Sequence, residues 1–310
     1  MEYECIECKS CLEVCPTYSV SGELELSPLG RVRVANKVLR GEFAPEAVKS
    51  LFSCTLCYAC NQVCPKELDL VEIVEQARIA LVEKWGIPFS KQREVIASIV
   101  ERGNALGREP SERLRWLPEP YEERSSDRLL FVGCLASYVE TGVASASYLL
   151  LKKAGVDFRI LRDEGCCGIY VYRAGDLKLA KKVFEENAKR FEELGIKEII
   201  VPCLGCYRCF KNYYPRVLGE VGFRVKQITE VIHELMKLGR LRVSPQKAER
   251  YTYLDPCYLG RAEGLYDAPR EIARMCGAEV VEAELSREKA LCCGAGGGVR
   301  SLFKDLSFAM

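Results

Sequence analysis

The spacing of apolar residues divides the chain into two parts. In the first part apolar positions recur every three or four residues, which is the period of an amphipathic helix. The pattern predicts a helix at 28–39, a long helix at 71–85 and another around 95–100. There is almost no alternation of apolar and polar residues here, so we expect this part to be helical.

From Asp127 onwards, short apolar runs alternate with helical patterns. The runs at 129–132, 156–160 and 197–201 are typical of buried strands, and the segments at 138–154 and 177–194 are typical of helices. A further strand is expected at 252–254. Strands that alternate with helices favour a parallel sheet covered by helices. The expected fold class is therefore multidomain α and α/β, with an all-helical domain followed by Rossmann-like parallel α/β repeats.

The composition limits the class of protein. With 310 residues, 48% of them hydrophobic, the chain can fill two or three cores, so its 18 cysteines are not needed as disulfide staples. The net charge of +1 argues against nucleic acid or an anionic membrane surface as a ligand. The apolar runs are strand-sized and the acidic start lacks a signal-peptide pattern. We expect a cytoplasmic protein with no membrane span, which reaches the inner face of a membrane only through a partner.

Eight of the cysteines form two copies of one run. The copies are Cys5-x2-Cys8-x2-Cys11-x3-Cys15-Pro16 and Cys54-x2-Cys57-x2-Cys60-x3-Cys64-Pro65. In the bacterial-ferredoxin run a triplet grips one cubane iron–sulfur cluster, and the fourth thiolate, before a helix-initiating Pro, ligates the other. The alternative, a structural zinc site, usually has two separated pairs of ligands. The expected ligand sets are Cys5, Cys8, Cys11 and Cys64 for one [4Fe–4S] cubane, and Cys54, Cys57, Cys60 and Cys15 for the second.

A second cysteine pattern lies in the α/β part and is also repeated. The first copy comprises Cys134, Cys166-Cys167-Gly168 and Cys203-x2-Cys206, and the second comprises Cys257 and Cys292-Cys293-Gly294. Because the carboxyl ends of parallel strands open into one crevice, cysteines from several strand ends can converge there. The expected domains are a helical ferredoxin domain at 1–86, a helical linker at 87–126, a first cysteine-rich repeat at 127–243 and a second, incomplete repeat at 244–310.

Together, the two patterns resemble a known family. They are similar to the D subunit of heterodisulfide reductase, and equally to the iron–sulfur subunits of glycolate, lactate and anaerobic glycerol-3-phosphate oxidases. The resemblance spans the chain and includes SPLGR at 27–31 and DPCYLGR at 255–261. It implies a third, non-cubane [4Fe–4S] cluster, beside which that family splits a disulfide. The ligands that the resemblance implies are Cys134, Cys166, Cys167, Cys203 and Cys206.

The second repeat is shorter than the first. Only 17 residues follow its cysteine pair, and three-fifths of a site remain, namely Cys257, Cys292 and Cys293. We expect a fragment, a truncated product or a variant that a partner completes, and therefore no fully occupied cluster there. Disulfide reductase activity of this chain alone is expected to be weak or absent, with electron transfer through the first three clusters retained. Of the remaining thiols, Cys209 is expected to be a bystander and Cys276 a core residue. The glycines at 294–298 lack the dinucleotide fingerprint and are expected to bring backbone amides close to cluster sulfides.

Two functions fit these features. In the first, the chain is an oxidoreductase subunit that passes electrons through two cubanes to the third cluster, where a small disulfide is reduced to thiols. In the second, it is a non-catalytic relay between an FAD-linked dehydrogenase and a quinone or cytochrome. The sequence contains no recognised flavin or nicotinamide site. Both functions therefore require a redox partner, such as a flavoprotein dehydrogenase, another reductase subunit or a membrane cytochrome b.

Overall fold

The computed structural model describes residues 3–244 and 249–310, and its first part is helical. Helix α3 begins where the Ser27 hydroxyl caps the Gly30 amide, and α6 begins after Asp69, whose carboxylate caps Glu72. The core lies between α3, α4 and α6. The expectation of a helical first part is confirmed. Its helices are α1 (Ser10–Glu13), α2 (Pro16–Ser21), α3 (Pro28–Leu39), α4 (Pro45–Phe52), α5 (Ala59–Val63), α6 (Leu70–Trp85) and α7 (Ser90–Arg102), with a 3₁₀ turn at Leu24–Leu26.

The next part is an α/β unit built on a parallel sheet. Strands β1, β2 and β3 lie side by side in that order. Leu129 and Ile199 face one core and Leu130 and Ile200 face the other, so helices cover both faces. The elements in chain order are β1 (Arg128–Leu130), α8 (Gly133–Tyr138), α9 (Thr141–Lys153), α10 (Ile169–Arg173), α11 (Leu177–Glu193), β2 (Glu198–Val201), α12 (Leu204–Arg208), a π-helical turn (Cys209–Tyr213), α13 (Tyr214–Leu218), β3 (Arg224–Gln227) and α14 (Ile228–Lys237).

Three expected elements differ from the structure. Residues 156–160 form a single parallel bridge, from Leu129 to Arg159, because this edge segment meets β1 at one position only. The expected helix at 138–154 is divided between α8 and α9, since Val139 and Glu140 leave the helical backbone region. The expected strand at 252–254 lies earlier in the chain, as β4 (Arg250–Tyr251).

The last part is a small unit that packs on the other two. Strand β4 pairs in parallel with β5, and α14 packs on α16. Within the described residues, no helix combines the length and apolar character needed to cross a membrane. The remaining elements are α15 (Gly260–Glu263), α16 (Asp267–Met275), β5 (Glu279–Val280), α17 (Val299–Leu302) and α18 (Lys304–Ala309), with 3₁₀ turns at Arg287–Lys289 and Gly296–Gly298.

Replacing Arg270 with Gln is expected to destabilise this unit strongly. The Arg270 side chain is fully buried and makes two 2.7 Å hydrogen bonds to the Asp255 carboxylate and two more to Glu282. Removing one partner of a buried ion pair leaves a charge without compensation and costs about 3–5 kcal/mol. The control is Arg250→Gln, whose exposed pair with Glu279 is worth about 0–1 kcal/mol. Urea unfolding measures the loss of stability in both variants. Equal losses would show that the buried ion pair of Arg270 does not stabilise this unit.

Candidate functional site

The two cysteine runs fold into loops with the same unusual backbone. Glu7 and Lys9 in the first run, and Leu56 and Tyr58 at the equivalent places in the second, have φ values between 52° and 67°. Non-glycine residues adopt this left-handed region at a cost of about 1–3 kcal/mol each. The surrounding structure therefore holds both loops in one shape, which wraps the backbone around the thiols.

Eight thiols line two neighbouring cavities. Pro28 and Leu70 contribute to the walls of both, so the cavities are adjacent. Each cavity combines the triplet of one run with the fourth cysteine of the other, which is the combination predicted for the ligand sets. The first cavity is lined by Cys5, Cys8, Cys11 and Cys64, and the second cavity is lined by Cys15, Cys54, Cys57 and Cys60.

The two prolines that follow the runs differ in role. Helix α2 begins at Pro16, as predicted. The same prediction is wrong for Pro65, which lies in a turn closed by a hydrogen bond from the Glu67 amide to the Cys64 carbonyl. The next helix, α6, begins only at Leu70, because the Asp69 carboxylate supplies its cap.

The donor set at both cavities suits an iron–sulfur cluster. Each cavity offers four thiols and largely apolar walls, and thiolates are the ligands of such clusters. The four thiols of each cavity lie around a space and do not converge on one point, as the ligands of a single metal ion would. Among the described residues, no group of three or more His, Cys, Asp or Glu side chains is arranged to hold a metal ion. Burial raises the pKa of Cys11 to about 11 and that of Cys60 well above its usual range, so binding must release protons.

The Cys134 loop is held by a buried ion pair. The Glu164 carboxylate accepts hydrogen bonds from two successive amides after β1 and from Arg113, all at 2.8 Å. Both side chains are almost fully buried. Gly133 has a φ of 77°, and a Cβ there would come within 3.0 Å of the Cys206 thiol. A larger residue at 133 would strain the backbone and push that thiol away by a few tenths of an ångström.

Six thiols gather at the carboxyl ends of β1 and β2. The hydrogen bond with Cys206 lowers the pKa of Cys203 to about 6, whereas the hydrogen bond with Cys166 and burial raise the pKa of Cys134 well above its usual range. The expected bystander, Cys209, donates its thiol to the Cys167 carbonyl at 3.1 Å. The group therefore combines thiols of very different acidity. Thiol contacts run in sequence through Cys134, Cys166, Cys167, Cys206 and Cys203.

The thiols of the second repeat lie against the second cavity. Cys292 contacts Cys257 and Cys293, and it also contacts Cys57 in the cavity wall. Hydrogen bonding with Cys292 lowers the pKa of Cys57 to about 5. Cys57 thus adds a fourth thiol to the three that the sequence predicts for this group. Sequence reasoning missed this contact, because no pattern connects residues so far apart along the chain. By contrast, Cys276 is partly buried against an apolar core.

The glycine run at 294–298 packs against the second cysteine loop. Gly296 and Gly297 lie so close to the backbone carbonyls of Thr55 and Cys54 that a Cβ at either position would overlap them. The Gly297 carbonyl also accepts a 3.0 Å hydrogen bond from Arg78 of α6. The run therefore joins the end of the described chain to the wall of the second cavity.

Gly297→Ala is expected to destabilise the protein more than Gly298→Ala. Both glycines have positive φ, 61° and 86°, so alanine brings a backbone cost of about 1–2 kcal/mol at either position. At 297 the new Cβ also overlaps the Cys54 carbonyl, whereas at 298 nothing lies within 4 Å. Urea unfolding and iron content measure the difference. Equal losses in the two variants would show that the close packing contributes nothing.

Two family models match the chain, one within its helical part and one within its later parts. A 4Fe-4S dicluster domain matches residues 2–68, and a cysteine-rich domain matches residues 129–211 and 251–310. The first match contains all eight cysteines of the two cavities, and the second contains the thiols of both repeats. The comparison with solved structures gave no match.

Curated relatives match almost the whole chain. The D subunit of the dihydromethanophenazine:CoB–CoM heterodisulfide reductase of Methanosarcina barkeri is 32% identical over 99% of this chain and 81% of its own length. The EtfAB:quinone oxidoreductase of Syntrophomonas wolfei is 29% identical over 95% of the chain and 48% of its own length. A probable iron–sulfur-binding oxidoreductase of Bacillus subtilis is 34% identical over 85% of the chain and 39% of its own length. The chain therefore belongs to the family of iron–sulfur oxidoreductase subunits that includes the D subunit of heterodisulfide reductase.

Proposed function

We propose that this chain takes electrons from a redox partner through two [4Fe–4S] cubanes and delivers them to a third cluster, where a small disulfide is reduced. The cubane ligands would be the four thiols of the first cavity and the four of the second. The third cluster, of the non-cubane kind, would be held by the five thiols Cys134, Cys166, Cys167, Cys203 and Cys206.

The observation that carries the proposal is the thiol group at the ends of β1 and β2. A buried ion pair fixes the loop at Cys134, and Cys203 stands at the N-terminus of α12 after β2. A structural zinc site needs four ligands, whereas six thiols meet here. The number of thiols, which is larger than a zinc site needs, and their wide range of acidities support a redox role.

The chemistry of disulfide reduction defines what the site must supply. Two electrons and two protons convert one disulfide into two thiols, and the sulfur–sulfur bond is the bond that breaks. Iron–sulfur clusters carry electrons singly, so clusters in series would supply the pair. The two protons must come from groups other than the cluster ligands, because thiols that ligate a cluster are deprotonated.

The first cavity is the expected entry point for electrons. Cys8 is exposed and its neighbour Ile6 is 58% exposed, whereas Cys15 and Cys57 of the second cavity are buried. A redox partner that docks over the Cys8 loop would approach the cluster closely. The subunit names of the relatives support the need for such a partner, which would be a flavoprotein dehydrogenase, another reductase subunit or a membrane cytochrome b.

A second candidate function is a relay that donates to a quinone or cytochrome. The relative named EtfAB:quinone oxidoreductase favours it. The contact between Cys57 and Cys292 also favours it, because the second-repeat thiols adjoin the second cavity and end in the exposed Cys293. That arrangement would give electrons a route to the surface without the first repeat.

Turnover with two acceptors separates these functions. The anaerobically reconstituted chain is supplied with reduced viologen and offered either a small disulfide or a water-soluble quinone. Slow disulfide-dependent oxidation of viologen, with release of two thiols per disulfide, is expected of this chain without a partner. Turnover with the quinone alone would reject the reductase in favour of the relay.

A further inference from the structure

Three arginines with little access to water lie at the second cavity, one in its wall and two that donate to the backbone of its cysteines. Arg31 lines the cavity, is 2% exposed, and has its Nη1 3.7 Å from the Cys15 thiol. Its other donors bond to neutral acceptors, which are the Ser50 carbonyl and the hydroxyls of Thr17 and Ser53. The guanidinium is therefore fixed beside the thiols by groups that do not cancel its charge.

Arg78 and Arg261 are held in a similar way. Arg78 is fully buried and donates to backbone carbonyls, among them that of Cys54 at 2.9 Å. Arg261 donates to the Cys57 carbonyl at 2.8 Å and leaves its buried Nη2 without a hydrogen-bond partner. Burial lowers the pKa of Arg78 to about 10, so it remains a cation at neutral pH.

These charges lack a carboxylate in direct contact among the described residues, although the Glu75 carboxylate acts on Arg78 from a longer distance. Within the described ranges, none of the three arginines forms an ion pair with a carboxylate, and the buried Glu75 is engaged by Tyr213 and Arg173. Unpaired buried charge is costly. The second cavity is therefore built for an anionic occupant, and a cluster ligated by four thiolates is anionic.

The charged side chains at the first cavity are exposed to water, unlike the arginines at the second. Those in the wall of the first cavity are Glu7, Lys9 and Lys66, and Cys8 is exposed as well. Glu7 is moreover neutralised by Arg33 at 2.7 Å. Water and salt screen exposed charges, so these have little effect on a neighbouring cluster.

We propose that Arg31, together with Arg78 and Arg261, raises the reduction potential at the second cavity above that at the first and so directs electrons inward. This rests on the proposed function, which places one cluster at each cavity. One electron leaves the first site, which is oxidised, and enters the second, which is reduced, with no bond or proton transferred. The added negative charge is stabilised by buried cations in a low-dielectric surrounding.

The test is an EPR-monitored redox titration of the reconstituted full chain and three variants. Arg31→Gln removes the charge and Arg31→Lys keeps it. The matched control, Arg33→Gln, lies on the same helix, but its side chain is 49% exposed. Arg31→Gln is expected to lower the potential at the second cavity by at least 59 mV, a tenfold change in electron distribution for a one-electron couple. The other two variants should change it much less.

The possible outcomes distinguish an effect of the arginine charge from a structural effect of the substitution. If Arg31→Gln does not retain the cluster, Arg261→Gln is titrated in its place and should shift the potential in the same direction. Equal potentials at the two cavities in the unmodified chain, or equal decreases in the Gln and Lys variants, would overturn the proposal. Iron and sulfide analysis of the same samples tests the proposed function separately, because two intact clusters without a potential difference reject the arginine proposal alone.

Discussion

Cys64→Ala is expected to abolish the cluster at the first cavity, although Cys64 belongs to the second cysteine run. The Cys64 thiol lines the first cavity with Cys5, Cys8 and Cys11, and the second cavity retains its full set of four thiols. The chain should therefore lose about four iron atoms and one EPR signal. Anaerobic reconstitution, iron analysis and EPR of the reduced variant measure this.

The corresponding substitution in the first cysteine run, Cys15→Ala, is the matched comparison for Cys64→Ala. It should remove the signal of the second cavity and leave that of the first, because Cys15 lines the cavity of the other triplet. Cys276→Ala, which removes a thiol outside both cavities, should keep both signals. Loss of the second-cavity signal in the Cys64 variant, with the first intact, would falsify the crossed ligand sets.

Cys206→Ala is expected to remove a third cluster and the disulfide reductase activity together. The Cys206 thiol is buried and contacts both Cys167 and Cys203, so it joins Cys203 to the rest of the thiol group. About four of roughly twelve iron atoms should be lost, while both cubane signals remain. Iron, sulfide and zinc analysis with Mössbauer spectroscopy checks the count, again with Cys276→Ala as the control. Stoichiometric zinc and only about eight iron atoms in the unmodified chain would contradict the third cluster.

Local patterns in the sequence are sufficient to predict helices α3, α6 and α7 and the proximity of the thiols in each run. Helix α3 lies at its predicted bounds because a Ser cap and a proline mark its start and apolar residues repeat along one face. The edge segment at 156–160 was predicted wrongly as a strand. An apolar run indicates burial, but it does not reveal how many residues find a partner in the sheet.

Features that depend on distant contacts could not be predicted. Glu164 and Arg113 look like ordinary surface residues in the sequence, yet they form the buried pair that fixes the Cys134 loop. The contact of Cys57 with Cys292 arises only when the second repeat packs on the helical part. Arg31 lies in a recognisable stretch, but its burial beside Cys15 depends on three separate segments meeting there.

The most direct test of the account is a single-turnover experiment on the full chain. The reconstituted protein is reduced under anaerobic conditions, freed of reductant and mixed with a small disulfide, and the cubane EPR signals and released thiols are followed together. Both signals are expected to disappear as two thiols form for every two electrons lost, and the Cys206→Ala variant is expected to keep its signals. Cubane signals that persist with the disulfide, but vanish on addition of a quinone, would contradict the proposed reduction of a disulfide.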